Sequence, residues 1–398
     1  KKTIKIYNGD IMRKMDYTKL LMIPGPTMVP NTVLTSMANP IIGHRTADYG
    51  ELLEDTTEKM KEVFMTKNDT YLITGSGTSV MDMAISNTVD KGDKVLTIVN
   101  GNFGDRFYKI AKVYGGDGDN IIKLENEWGD SADPKKVRDI LDANPDIKVV
   151  TVVHNETSTG VKNPIEEIGN IVKDYDALYI VDTVSSLGGD YVNVDKFNID
   201  ICVTGSQKCI AAPPGMAAIC VSEKAWGVIN KTETKSYYLD VKTYKNKYDD
   251  KKETPFTPSV TLTYAMNEAL EIVLNEGLEN RYIRHEKLAN ATIAGFEAMG
   301  LELFAKEHAR SVTVTSVKYP EGIVDKEFRG IMTNKYGISL AGGQAHLSGK
   351  IFRMGHMGEA KEYHVLGTLA AIEMAFKELG LDANGGVDAA KKVLNSEI

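Results

Sequence analysis

Leu178-Tyr-Ile-Val-Asp182-Thr-Val-Ser-Ser186 and Ile201-Cys-Val-Thr-Gly-Ser-Gln207-Lys208 are two apolar runs, each ending on a charged residue. Both have the β-branched and aromatic bias of buried strands. An acid at one strand end and an amine at the next put opposite charges at one edge of a sheet. In open α/β sheets, ligands bind at that carboxyl edge.

The same texture extends outward from these two runs. Tyr71-Leu-Ile73 breaks at Thr74-Gly-Ser-Gly-Thr78, and Val80, Met81, Ala84, Ile85 and Val89 follow near a helical period. Val95-Leu-Thr-Ile-Val99 ends in Asn100-Gly-Asn-Phe-Gly104, and Ile121-Ile-Lys-Leu124, Val149–Val153 and Gly215–Val221 repeat the pattern. Strands alternating with helices predict an α/β fold with a mainly parallel sheet covered on both faces.

After about Pro258 the texture changes. Long helical patterns run from Leu262 to Leu278 and through Leu288, Ile293 and Phe296. An α+β stretch follows: a strand from Val312, a helix over Lys326–Tyr336, a strand Ile351-Phe-Arg-Met354 and a helix over Val365–Leu379. The expected organisation is an N-terminal segment over 1–23, a large domain over 24–260 and a smaller C-terminal α+β domain over 261–398. A chain of 398 residues suits two cores better than one.

Composition narrows the function. There are 47 basic and 55 acidic residues, for a net charge of −8, and no long basic run, which argues against nucleic acid or an anionic membrane as partner. The mixed stretch Lys242–Lys252 reads as a solvated loop. Cys202, Cys209 and Cys220 match no zinc or redox spacing, so they are expected to be buried free thiols in a reducing interior. No metal site is expected. With no apolar run of about 18 residues and no signal-peptide pattern, the expected location is cytoplasmic.

Individual segments leave alternatives open. Thr74–Thr78, between a strand and a helix, reads as a phosphate cradle or as a tight turn with a capping hydroxyl. It has neither the dinucleotide glycine spacing nor a Walker lysine. Lys208, followed by Cys-Ile-Ala-Ala-Pro-Pro-Gly215, sits where an ammonium is disfavoured, as a Schiff-base amine requires, or it snorkels from a strand end. Asp182 caps the next turn or faces a cationic ring. Together these residues suit pyridoxal phosphate, which is held on a lysine with an acid opposite its pyridinium nitrogen. His154-Asn-Glu-Thr-Ser-Thr-Gly160 is a dense polar cluster that could serve a cofactor oxygen, and Phe103 could stack on a flat ring. Arg353 interrupts an apolar strand and offers a fork for a carboxylate, or it makes a structural ion pair. His44 and Arg45 offer a further cation.

These motifs, in this order, resemble the class V (fold-type I) aminotransferases, specifically the alanine–glyoxylate / serine–pyruvate branch. The resemblance rests on Pro24-Gly-Pro-Thr27, Gly-Ser-Gly-Thr78, Glu156-Thr-Ser-Thr-Gly160, Asp182-Thr-Val-Ser-Ser-Leu-Gly-Gly189, Gly-Ser-Gln-Lys208, Ala-Pro-Pro-Gly215 and Arg353-Met-Gly355. It implies that Lys208 is the Schiff-base lysine and that Asp182 keeps the pyridine nitrogen protonated. Ser76, Gly77 and Thr78, with Gln207, would bind the phosphate, Phe103 would stack, and Thr157 would lie near the ring oxygen. Arg353 would hold the substrate α-carboxylate, with Gly25 and Arg45 as further candidate substrate contacts. The family is dimeric, and Thr257 in Thr254-Pro-Phe-Thr-Pro258 would reach the neighbouring subunit's phosphate. Phe103 stands where relatives can carry Trp, and Thr254 where some carry Tyr.

The activity implied is ping-pong transamination from alanine or serine to glyoxylate or pyruvate, with aspartate or phosphoserine as alternative donors. A desulfurase-type lyase needs a loop cysteine in the second domain, yet no Cys follows Cys220. A non-catalytic cofactor-binding regulator and a nicotinamide dehydrogenase fit the sequence less well.

Overall fold

The computed structural model describes residues 19–233 and 235–396. The first 18 residues of the expected N-terminal segment lie outside that range. Side chains of the alternating region divide by the period of two that a strand imposes. Val150, Val152, Tyr179, Val181 and Cys202 join one hydrophobic cluster. Val149, Val153, Leu178, Ile180, Ile201 and Val203 join a second. A strand whose alternate residues enter two cores is apolar throughout, which is why these runs read as continuous rather than alternating.

The large sheet holds β1 (Asp69–Thr74), β2 (Lys94–Val99), β3 (Ile121–Glu125), β4 (Ile147–Val153), β5 (Leu178–Asp182), β6 (Ile201–Gly205) and β7 (Met216–Val221). Its spatial order is β1-β7-β6-β5-β4-β2-β3. β7 runs antiparallel to both β1 and β6, and the β2–β3, β2–β4, β4–β5 and β5–β6 pairs are parallel. Register aligns the ends: Val153 pairs with Asp182, and Asp182 with Val203. The carboxyl ends of β1, β2, β4, β5 and β6 therefore share one edge.

Helices α1 (Gly77–Ser86), α2 (Asn102–Gly115) and α3 (Ile165–Val172) follow β1, β2 and β4. The stretch expected to be a solvated loop is instead a helix, α4 (Val241–Lys251). The Asp240 side chain caps it by accepting from the Lys242 amide at 3.1 Å, and Val241 and Tyr244 are buried. Charges on the outer face hid a narrow apolar stripe.

Past the expected boundary at 260/261, α5 (Val260–Glu276) still packs on the large sheet, placing Ala265, Met266, Ala269, Leu270 and Val273 in the first cluster. A third cluster begins with Leu288 and Phe296 on α6 (Leu278–Ala298). There Phe328 stacks on Phe376 with ring centroids 4.7 Å apart. A small antiparallel sheet is built on β8 (Val314–Lys318), β9 (Ala341–Gly342) and β10 (Ile351–Gly355), with β10 central. Leu20–Leu21 pairs in parallel with Ile338–Ser339, tying the start of the described chain to this region. All three cysteines are free and buried. Among the described residues no helix is long and apolar enough to cross a membrane.

Helix α3 lies so close to the residues before β6 that a Cβ on Gly169 would sit 1.9 Å from the Phe197 carbonyl oxygen. Gly227, in the helix Glu223–Ile229, has nothing among the described residues within 4 Å of its would-be Cβ. The same chemical change should therefore have opposite signs at the two sites. Gly169→Ala should destabilise by about 2–3 kcal/mol through overpacking. Gly227→Ala should stabilise by about 0.5–1 kcal/mol through helix propensity and chain entropy. Urea midpoints at constant m-value check both.

Candidate functional site

β2 leads outward to β3, whereas β4 lies on the other side of β2 and leads to β5. The loops after β2 and β4 thus diverge, and ligands bind at such a switch point. The first loop brings Gly101–Gly104 to the crevice and the second brings His154–Gly160. Lys208 arrives from the adjoining strand β6.

Lys208 is half-buried, and its Nζ donates to the Pro24 carbonyl. Thr27 fastens the Lys208 main chain from outside: its amide donates to the Gln207 carbonyl at 3.1 Å and its Oγ1 to the Lys208 carbonyl at 3.0 Å. Gly25, at φ +116°, leaves the room the side chain occupies. A Cβ there would stand 2.5 Å from Lys208 Cδ and 2.6 Å from Nζ. Burial, helped by the positive charge of Arg353, pushes the Lys208 amine down to about 8. The amine is therefore far more available as a nucleophile near neutral pH than an exposed lysine.

Asp182 ends β5 and is 3% exposed. Burial drives its carboxyl up to about 6, against the Val184 amide, which donates to Oδ1 at 2.7 Å. The Glu156 carboxylate pushes in the same direction as burial, while Arg106 and Lys208 oppose it. With no direct cationic partner among the described residues, this buried acid is poised to accept one, such as a protonated ring nitrogen.

Ser76 occupies the N-cap position of α1 without a side-chain capping bond, and the first amides of the helix, on Gly77 and Thr78, are the orphan donors a helix N-terminus offers to an anion. Val184 crowds Gly77 so closely that a Cβ there would lie 2.7 Å from its Cγ2. Gln207 Oε1 is buried and has no hydrogen-bond partner among the described residues. It lies beside this turn, since a Cβ on Gly205 would be 3.3 Å from Gln207 Oε1 and 3.5 Å from the Gly77 nitrogen. Phe103, in the first turn of α2, carries the Arg106 guanidinium 4.6 Å from its ring centroid.

The loop after β4 is buried from His154 to Gly160. Thr157 Oγ1 donates to Ser185 Oγ at 2.8 Å, and Asn155 Nδ2 donates to the same hydroxyl at 2.8 Å. The Thr157 carbonyl accepts from Arg353 Nη1 at 2.8 Å, while Arg353 Nε and Nη2 both donate to the Gly342 carbonyl. Of five N–H groups, this leaves one on each Nη, a fork for the two oxygens of a carboxylate. Burial lowers Arg353 to about 10, with Glu156 opposing the shift, so it stays charged at neutral pH.

Behind the site, Arg281 is completely buried. It is paired with Glu276 at 2.5 Å and Glu359 at 3.0 Å, and it donates to the Cys209 carbonyl at 2.6 Å and the Gly188 carbonyl at 2.8 Å. This fastens the main chain next to Lys208 to helix α6.

Lys208, Asp182, Gly25, Ser76, Gly77, Thr78, Gln207, Phe103, Thr157 and Arg353 thus gather around one sheet edge. Arg45 is held elsewhere, bridging to Glu253 at 2.9 Å and donating to the Thr254 and Pro255 carbonyls. Thr257 is exposed, two residues before Ser259, whose amide donates to Thr74 Oγ1 at 3.0 Å. The residue set fits pyridoxal phosphate: an amine with weakened proton affinity, a buried acid and free helix amides.

Two members of the site escaped the sequence reading. Arg106 donates from Nη1 to Thr78 Oγ1 at 2.7 Å and acts electrostatically on both Asp182 and Lys208. Its spacing of three from Phe103 on a helix was the available signal. Glu156 was visible only as part of a polar cluster.

The Aminotransferase class-V family model matches residues 20–358. The chain is 68% identical over 381 residues to an uncharacterized aminotransferase of Methanocaldococcus jannaschii, covering 95% of this chain and 98% of that protein. It is 36% identical over 387 residues to serine–glyoxylate aminotransferase of Methylorubrum extorquens, covering 94% and 95%. The solved structure of ureidoglycine–glyoxylate aminotransferase from Bacillus subtilis matches with a TM-score of 0.91 at 33% identity, covering 95% of this chain and 98% of that one.

The raised Asp182 carboxyl has a consequence for stability. Between the ordinary value of 3.8 and about 6 the folded chain keeps a proton that the unfolded chain releases. Stability therefore falls as pH climbs through that window, and the loss is complete at pH 7. Without bound cofactor, Asp182→Asn should be more stable than the parent at pH 7 by about 1–3 kcal/mol, with the gain vanishing near pH 4. Urea unfolding at the two pH values checks this; an equal effect at both would refute it.

Proposed function

This chain belongs to the class-V aminotransferase family, and on that premise we propose that it transfers the amino group of alanine or serine to glyoxylate or pyruvate. Members of the family use pyridoxal 5′-phosphate and move amino groups between amino acids and 2-oxo acids. The observation that carries the narrower reading is the Arg353 fork beside Lys208 and Asp182, with Arg45 already spent on Glu253 and Arg106 on the Thr78 hydroxyl. A small donor needs one carboxylate holder, whereas aspartate or phosphoserine needs a second cation.

Bound pyridoxal phosphate supplies the electron sink that acidifies the donor's Cα–H bond and stores the amino group between half-reactions. Lys208 Nζ would anchor the cofactor, and as the free amine it would take the proton from the donor's Cα as general base. Its lowered proton affinity keeps it neutral often enough to act. Asp182 would face the ring nitrogen, whose positive charge would favour the carboxylate form, and that carboxylate would keep the nitrogen protonated. The two free N–H groups of Arg353 take the donor's α-carboxylate, fixing which face of Cα meets Lys208.

Ser76, Gly77, Thr78 and Gln207 would hold the phosphate, Phe103 would stack on the ring, and Thr157 would adjoin the ring oxygen. Gly25 keeps the amine's path open. The two half-reactions share this one site, which requires ping-pong kinetics. Two copies of the chain would each lend Thr257 to the other's phosphate. Three unpaired cysteines suit the reducing cytoplasm.

Following the loss of the bound cofactor's visible-edge absorbance with alanine, serine, aspartate and phosphoserine tests the substrate assignment. Alanine or serine should react fastest, and a clear preference for the two acidic donors would overturn it. Lys208→Ala should lose both the absorbance band and turnover, and normal turnover in that variant would sink the mechanism.

A further inference from the structure

Glu156 is a carboxylate with no exposure, set at the crevice where the loops after β2 and β4 diverge. Its Oε2 accepts from the amides of Phe103 at 3.0 Å and Gly104 at 2.9 Å, and its Oε1 accepts from the Ser158 amide at 3.2 Å and hydroxyl at 2.5 Å. Ser158 Oγ in turn accepts from the Asn102 amide at 2.9 Å. The first three amides of α2 are thus capped in trans, by a side-chain pair from a different strand end. The helix's own N-cap residue, Gly101, supplies no side chain and leaves the space instead. A Cβ there would lie 2.2 Å from Glu156 Cγ.

Two functional elements hang on this joint. On one side is the first turn of α2, with Phe103 and, three residues on, Arg106, which reaches Thr78. On the other is the 156–160 turn, closed by the Gly160 amide on the Glu156 carbonyl at 2.9 Å, whose Thr157 carbonyl accepts from Arg353. We propose that Glu156 is the positioning residue of the site: its two carboxylate oxygens lock the ring-stacking turn of α2 to the turn that seats Arg353. Glu156 touches neither substrate nor cofactor in this role and acts through Phe103 and Thr157.

Either orientation of an amide in place of the carboxylate would point its NH2 at backbone N–H donors, so Glu156→Gln breaks the joint without changing its volume. This inference rests on pyridoxal phosphate occupying the site, and the experiment separates the two. Retention of pyridoxal phosphate by the holoenzyme is measured by equilibrium dialysis, and ring orientation by the circular dichroism of the bound cofactor's visible band. Glu156→Gln should weaken retention at least tenfold, reduce the dichroism, and raise the donor's KM.

Phe103→Leu supplies the cycle that a merely structural role would not satisfy. If Glu156 works through Phe103, the double variant should retain cofactor no worse than about threefold below Glu156→Gln alone, far short of the product of the single losses. Unchanged retention and dichroism in Glu156→Gln, or losses that simply multiply, would overturn the proposal. Should Glu156→Gln not fold, Ser158→Ala enters the same cycle with a smaller expected loss of about threefold to tenfold and the same criterion. If the parent enzyme itself failed to bind pyridoxal phosphate, the functional reading would fall before this one was reached.

Discussion

Removing water from Lys208 and Asp182 is the constraint on which the rest of this structure depends. An amine and a carboxyl at adjacent strand ends, left in water, would be an ordinary pair of surface charges. Burial brings the amine down to about 8 and the acid up to about 6, so both titrate within reach of neutrality. Among the described residues neither has a direct ionic partner to undo the shift. The site is thereby held short of its best electrostatic state, and a bound cation opposite Asp182 would relieve it. Function and stability pull against each other at this edge.

Keeping so many charges out of water requires that each be tied down. Arg353 spends three N–H groups on two carbonyls, Glu156 takes four donors, and Arg281 is paired twice and bonded to two further carbonyls. A buried ion with any of these partners removed would cost several kcal/mol. The same bonds fasten loops that would otherwise move: Glu156 joins two loops of the large sheet, Arg353 joins one of them to the small sheet, and Arg281 braces the chain beside Lys208. Rigidity at the site is therefore a consequence of satisfying buried charge.

Much of this was legible in the chain itself. The runs ending at Asp182 and Lys208 announced a parallel sheet because strands buried on both faces must be apolar at every position. Gly-Ser-Gly-Thr78 marked the tight turn that leads from β1 into α1. Other features gave no such signal. The 241–251 helix was masked by its outer charges, since just Val241 and Tyr244, with the partly buried Tyr248, carry its inner face. That β7 runs against its neighbours could not be read from its composition, which serves either direction. The packing of α5 on the large sheet, beyond the expected boundary at 260, depends on where its apolar face lands rather than on its pattern.

The sequence by itself determined the α/β class, the strand ends that carry charge, and the residue types suited to pyridoxal phosphate. Those follow from local rules: burial on two faces, glycine at tight turns, and a lysine flanked by small apolar residues. Only the tertiary structure decided which charges meet. Glu156 lies 53 residues from Phe103 and 197 from Arg353, Arg106 reaches 28 residues back to Thr78, and Arg45 reaches 208 forward to Glu253. Such pairings arise from strand order and register across the sheet. A strand carries its own burial pattern in its sequence, but its neighbours are set by the packing of the whole chain.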